Sequence, residues 1–315
     1  TKNIEKFVGL EDKEFDEKAK QILSSALNEL EINTQKNTAV INFVFGEVVR
    51  LAHYLFLEQE KSSFKNDHKL NEFEFSGNNA VKIQVDENTV ISIEGKIDRV
   101  DKFGDYIRII DYKTGETDSN LGAIYYGKKI QLVSYLSAAE KLGNTKVAGL
   151  FYFPIHSDFV KIDQKLKNNY KMQGFLLDNI DVVKYMDCTL SVDNNESDFV
   201  PIKIKNNKEV RETGEFQISY GRTKVFLSEK EFDDLKMYTN QLCKVAIGEI
   251  LDGNIEPSPI AKAKERESQE CSFCELNGFC GKEHARLGMA RRCGGTVQSE
   301  SFDLNKGDED GDRMD

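Results

Sequence analysis

Tryptophan is absent from the 315 residues, and only four prolines and six cysteines occur. Six cysteines fall far below the density of a disulfide-built scaffold. No uninterrupted apolar run approaches the ~18 residues of a membrane span, so no membrane partner is expected. The phosphate-loop pattern Gly-x-x-x-x-Gly-Lys-[Ser/Thr] is missing, which places any ATP hydrolysis on another chain. There is no internal repeat. Residues Thr1 to Leu10 carry neither a secretory signal nor an initiator methionine. The expectation is a chain from a reducing, cytoplasmic compartment, trimmed at its start or part of something longer.

What is present belongs to a folded protein. Twenty Phe and eleven Tyr argue against disorder for the bulk of the chain. The length allows about two domains and an ample core. Net charge is −11, from 54 acidic and 43 basic residues. A free-standing DNA clamp is usually basic. If the chain handles nucleic acid, a local patch or another subunit must supply much of the attraction to phosphate.

Residues 12–60 read as helix, in two runs separated by the polar stretch Asn33 to Asn37. The second run carries a wide apolar face from Ile41 to Phe56, so it should be well buried. Period two then takes over. Phe73, Phe75, Val81 and Ile83 predict two short strands around the turn Ser76-Gly77-Asn78-Asn79. Stronger strands are expected over about 89–100 and 106–114, a helix over about 130–142, and a buried strand over Val147 to Pro154. Ser228 with Glu231 forms a capping box for a helix reaching about Leu251. The organisation expected is N-terminal helices over 1–62 and a core over 63–260 with an insertion at about 157–215. A cysteine module over 261–293 and a disordered acidic tail over 294–315 complete it.

The most informative stretch is Gly95-Lys96-Ile97-Asp98-Arg99-Val100-Asp101 followed by Asp111-Tyr112-Lys113-Thr114-Gly115. Alternate side chains of a strand share a face, so Asp111 and Lys113 project together. Asp98 and Asp111 are acids set in apolar β-structure, and a hairpin can bring them close. Two carboxylates and a backbone carbonyl make a hard oxygen site for Mg²⁺. Such a metal acidifies a bound water and offsets charge developing on a phosphate, which is the chemistry of phosphodiester hydrolysis. A lysine alongside can orient the water, take its proton or hold the phosphate. An ordinary ion pair on an exposed sheet face is the competing reading. Gln131 and Tyr135, four apart on one face of the next helix, weigh against it.

This order of motifs resembles the PD-(D/E)XK nuclease superfamily, and within it the RecB-like branch. Gln131-Leu132-Val133-Ser134-Tyr135 is similar to its third motif, and the AddB-type nuclease domains of bacterial helicase–nucleases are the best match. The resemblance covers roughly residues 10–285. It implies an α/β fold in which helices flank a mixed central sheet, with a C-terminal cysteine module of the iron–sulfur type. It also implies Asp98, Asp111 and the Tyr112 carbonyl as metal ligands, Lys113 as catalytic lysine, and Gln131 and Tyr135 contacting DNA or bracing the site. Lys128 and Lys129 either touch the phosphate backbone or form an ordinary solvated pair. The family's metal-proximal histidine has no counterpart in His53, His68 or His156; His53 reads as a packed or capping residue, and the helix carrying the family histidine is expected before Thr1.

Cys271, Cys274 and Cys280 have the spacing Cys-x2-Cys-x5-Cys, which on its own reads as zinc. The resemblance points to a 4Fe-4S cluster instead, whose fourth cysteine lies upstream. No cysteine precedes Cys188 here, and Cys293 substitutes only by rearrangement. The function implied is a Mg-dependent DNA exonuclease domain in a complex that processes double-strand breaks, with an AddA-type helicase/nuclease subunit as partner. The alternatives are a RecB-like scaffold that has lost activity, or an RNA-directed or CRISPR-associated nuclease.

Overall fold

The computed structural model describes residues 4–29, 38–115, 120–155, 170–221, 223–254, 259–262, 271, 273–276, 279, 291–293, 297 and 299–302. The chain opens with a helical hairpin, α1 (Asp12–Glu29) and α2 (Thr38–Lys61). Phe7, Phe15, Ala19 and Val49 form its own small core. The short strands β1 (Lys65–Asn66), β2 (Phe73–Phe75), β3 (Val81–Gln84), β4 (Val90–Ile93) and β5 (Gly95–Ile97) follow. Then come β6 (Arg99–Phe103) and β7 (Tyr106–Lys113), joined through Gly104 at φ +57°. A positive φ at the first position of a two-residue hairpin loop is what glycine supplies without strain.

Next are α3 (Leu121–Tyr125), α4 (Gln131–Ala139), β8 (Lys146–Pro154) and β9 (Gln173–Leu177). The remaining elements are α5 (Ile180–Val183), α6 (Lys208–Thr213), β10 (Phe226–Leu227), α7 (Glu229–Leu251), β11 (Ile260–Lys262) and β12 (Arg291–Cys293). The main sheet has six strands in the order β1-β6-β7-β8-β9-β10. Strands β7 and β8 run parallel, joined through α3 and α4; β9 and β10 are also parallel, and the other neighbours are antiparallel. A parallel pair needs such a crossover, and a sheet covered on both faces carries near-continuous apolar runs. Ile107, Ile109, Ile110, Leu150, Phe151 and Phe153 are fully buried accordingly. Each such side chain contributes about 1.5–3 kcal/mol.

Several expectations need correction. Strands β2 and β3 do not pair with each other: β2 pairs with β5 and β3 with β4. The long strand over 89–100 is cut at Glu94 and Asp98 into β4, β5 and β6, so its pieces serve different sheets. The N-terminal half of α2 is less buried than its apolar face implied, with Val40, Phe43 and Val44 exposed. By length and composition alone α2 is long and apolar enough to cross a membrane; it carries Glu47 and Arg50, and its last turns bury Glu58 and Gln59.

Strand β9 falls inside the expected insertion yet belongs to the main sheet. Gly174 is required there, since a Cβ would lie 1.9 Å from the Leu150 carbonyl oxygen. The tail is also ordered in part. Ser299–Phe302 forms a helical turn, and Phe302 is fully buried against Tyr125 and Tyr238. The tail beyond it, residues 303–315, lies outside the described residues. The capping box predicted at Ser228 and Glu231 is present.

Candidate active site

Strand β7 has two buried faces, and alternation assigns their chemistry. Ile107, Ile109, Asp111 and Lys113 lie on one face, under α4. Arg108, Ile110 and Tyr112 lie on the other, towards α2. Asp98 sits in the break between β5 and β6, one residue before Arg99 pairs with Ile110. Its Oδ2 accepts the Tyr112 backbone N–H at 2.9 Å, which ties the break to the end of β7.

Asp111 and three other side chains close a ring. The Lys113 ammonium is 2.6 Å from Asp111 Oδ2 and donates to Gln131 Oε1 at 2.8 Å. Gln131 Nε2 donates to the Tyr135 hydroxyl at 2.9 Å. That hydroxyl shares its proton between Asp111 Oδ1 and the Lys96 carbonyl, each at 3.0 Å. Gln131 and Tyr135 project from one face of α4, as four-residue spacing requires. Gln131 and half-buried Lys113 face outward, whereas Asp111 and Tyr135 are 2% and 3% exposed. Tyr135 therefore braces the site and offers almost no surface to a ligand. Burial and the adjacent Asp111 raise its pKa well above the ordinary phenol, so it stays a donor.

The carboxylates are poised for a cation. Burial raises the Asp98 pKa; the Tyr112 N–H opposes this and the neighbouring Asp111 charge adds to it. Asp111 Oδ2 is buried and accepts no aligned hydrogen bond, despite the nearby ammonium. A carboxylate oxygen held only by an ion pair, beside a second acid, is a donor set that suits a hard divalent ion. Two side chains are fewer than a complete shell, and no group of three or more acidic, His or Cys side chains that could hold a metal occurs among the described residues. Backbone carbonyls and waters complete such shells. The Tyr112 side chain points to the opposite face, so only its main chain borders the acids.

Other predicted residues fall elsewhere. His53 contacts Asp16 at 2.8 Å and stacks on Phe15 within the helical hairpin, so it is a packing residue. Cys271 and Cys274 are joined by a backbone hydrogen bond, Cys274 N–H to Cys271 carbonyl, at 3.4 Å. Cys280 and His156 lie outside the described residues. Lys128 and Lys129 line a cleft of about 280 Å³ with Lys113, Ile130, Gln131 and Tyr152.

A further charged cluster lies on the reverse face, and the sequence motifs do not point to it. Glu58, Arg99, Asp101 and Arg108 are all fully buried. Arg99 donates to Asp101 at 2.7 and 2.6 Å and to Glu58 at 2.8 Å. Arg108 donates to Asp101 at 2.8 and 2.6 Å and also pairs with Glu58. Alternation alone could have grouped Arg99, Asp101 and Arg108 opposite Asp111; nothing in sequence announces Glu58.

The sequence pattern of the PD-(D/E)XK nuclease superfamily matches residues 3–281. The chain belongs to this superfamily. Its members share a mixed sheet with flanking helices, which is the architecture found here. Among curated relatives is the B-type subunit of the ATP-dependent helicase/deoxyribonuclease of Ruminiclostridium cellulolyticum, 30% identical over 63% of this chain and 17% of its own length. Proteins of the same name from Oceanobacillus iheyensis and Listeria innocua are each 29% identical, over 82% and 79% of this chain. The PD-(D/E)XK chain spans about a fifth of the length of these relatives, 23% and 22% for the last two.

Proposed function

We propose that this PD-(D/E)XK nuclease acts as a metal-dependent DNA exonuclease domain. The observation that carries the reading is the closed ring Asp111–Lys113–Gln131–Tyr135 beside Asp98, with one Asp111 oxygen left without a hydrogen bond. Asp98, Asp111 and the Tyr112 carbonyl would hold a divalent cation such as Mg²⁺, which would supply an acidified water and offset charge on the phosphate. Lys113 presents a cation to the substrate side while Asp111 and Gln131 fix its position. Gln131 is held in turn by Tyr135. Burial of Asp111 and Tyr135 keeps bulk water from loosening these contacts, so little reorganisation is needed at the moment of reaction.

The names of the relatives support a helicase–nuclease setting, in which a second subunit supplies ATP hydrolysis and a track for DNA. Processing of double-strand breaks for repair, in the bacterial cytoplasm, is the role this setting favours. Cys271, Cys274 and Cys280 are proposed as three ligands of a 4Fe-4S cluster, the fourth lying outside the triplet; iron analysis of wild type against Cys271→Ser reads this directly.

The deciding experiment incubates the chain with linear and closed-circular DNA, with Mg²⁺ or with EDTA. Mg²⁺-dependent loss of the linear form alone is the expected result. DNA binding without any cleavage would replace the reading with an inactive scaffold.

A further inference from the structure

The cleft of about 280 Å³ beside Lys113 has three cationic side chains among its six lining residues, in a chain whose net charge is −11. No carboxylate lines it among the described residues. Two of its lining residues, Lys113 and Gln131, belong to the ring around Asp111, so the cleft adjoins that ring. Lys128 and Lys129 line it as well. Both backbone N–H groups donate to the Ala123 carbonyl, at 2.8 and 3.3 Å, which holds this turn against α3. Tyr152 pairs with Asp111 across β7 and β8, and the Lys113 ammonium lies 5.4 Å from its ring centre. The volume sits at the lower end of small-ligand pockets, roughly 300 Å³. That is room for a group the size of one sugar-phosphate unit.

We propose that this cleft is a second anion subsite, seating the phosphodiester next to the one cleaved, with Lys128 and Lys129 as its ligands. The proposal rests on the nuclease reading above, because that reading supplies a strand lying across Asp98 and Asp111. Clustered cations in a confined cleft act on affinity: each phosphate they neutralise releases condensed counterions. Lys128 and Lys129 therefore set how tightly the strand is held, whereas Lys113 is shared with the chemistry.

The test is fluorescence anisotropy with a labelled single-stranded oligonucleotide in EDTA, comparing wild type with the double variant K128Q/K129Q. EDTA prevents cleavage, so binding is read whether or not the chain is a nuclease, and failure of either reading can be told apart. Affinity at low salt should fall on the order of tenfold, and the slope of log K against log salt should shrink by about 0.7, the value for one phosphate contact on a single strand. K128R/K129R should restore both. With Mg²⁺, the loss in kcat/KM should reside in KM. Unchanged affinity and slope would make the two lysines an ordinary solvated pair and overturn the proposal. So would a loss that arginine does not rescue, or a wild-type chain without measurable oligonucleotide binding.

Discussion

The Tyr135 hydroxyl meets Asp111 Oδ1 at 3.0 Å, across 24 positions of sequence. This one contact fastens α4 to the end of β7, and through Gln131 it also fixes Lys113. The two helix residues and the two strand residues thereby become one unit.

Tyr135→Phe removes the hydroxyl and keeps the ring. Asp111 and Gln131 each lose a buried partner, at a cost of about 1–3 kcal/mol. Thermal unfolding should register that loss, and turnover should fall because Gln131 no longer holds Lys113. Wild-type stability together with wild-type turnover would show that the ring of contacts is dispensable.

Asp111→Ala and Lys113→Ala should each abolish cleavage while the fold survives. The Tyr135 hydroxyl keeps the Lys96 carbonyl as an acceptor in the Asp111 variant, so no buried donor is stranded. Losing the charge that serves the reacting phosphate costs several kcal/mol of barrier, a rate decrease of about 10³-fold or more. Circular dichroism beside a degradation assay separates the two effects. Normal Mg²⁺-dependent degradation by the Asp111 variant would remove it from the site.

Glu58→Ala leaves two fully buried guanidiniums facing the single carboxylate of Asp101. Breaking a buried ion pair in this way costs about 3–5 kcal/mol. Urea denaturation should show the unfolding free energy falling by that amount, through an earlier midpoint with the slope unchanged. A loss below ~1 kcal/mol would mean that the cluster is not what holds α2 to the sheet.

Asp101 gives the acid limit of stability. Burial raises its pKa, but the guanidiniums of Arg99 and Arg108 outweigh that and hold it at about 2. A depressed carboxylate contributes stability that is fully present above its unfolded value and is lost as pH falls through the folded one. The window therefore runs from about pH 4 down to about 2, with each unit worth ~1.4 kcal/mol. Stability measured by denaturant across this range should decline in wild type, and Asp101→Asn should flatten the decline while lowering stability at neutral pH.

Local chemistry made much of this molecule legible. The apolar periodicities of α1, α2, β7 and β8 and the capping box of α7 are nearest-neighbour patterns, and the described elements follow them. The spacing of Asp98, Asp111, Lys113, Gln131 and Tyr135 placed acids on strand ends and an amide and a phenol on one helix face. The hairpin expected between β2 and β3 failed because strand partners are chosen by sheet packing. Each short strand paired instead with a piece of the broken 89–100 segment.

The sequence by itself determined which residue types stand at the site and on which face of each element they project, because those follow from covalent spacing and strand or helix period. Only the tertiary structure decided that Tyr135 would cap Asp111 and leave its other oxygen without a hydrogen bond. It alone placed Glu58 from a preceding helix beneath Arg99 and Arg108, and seated Phe302 against Tyr125 and Tyr238. Such contacts join segments tens to more than a hundred residues apart. Their energy comes from excluding water around groups that no local pattern brings together.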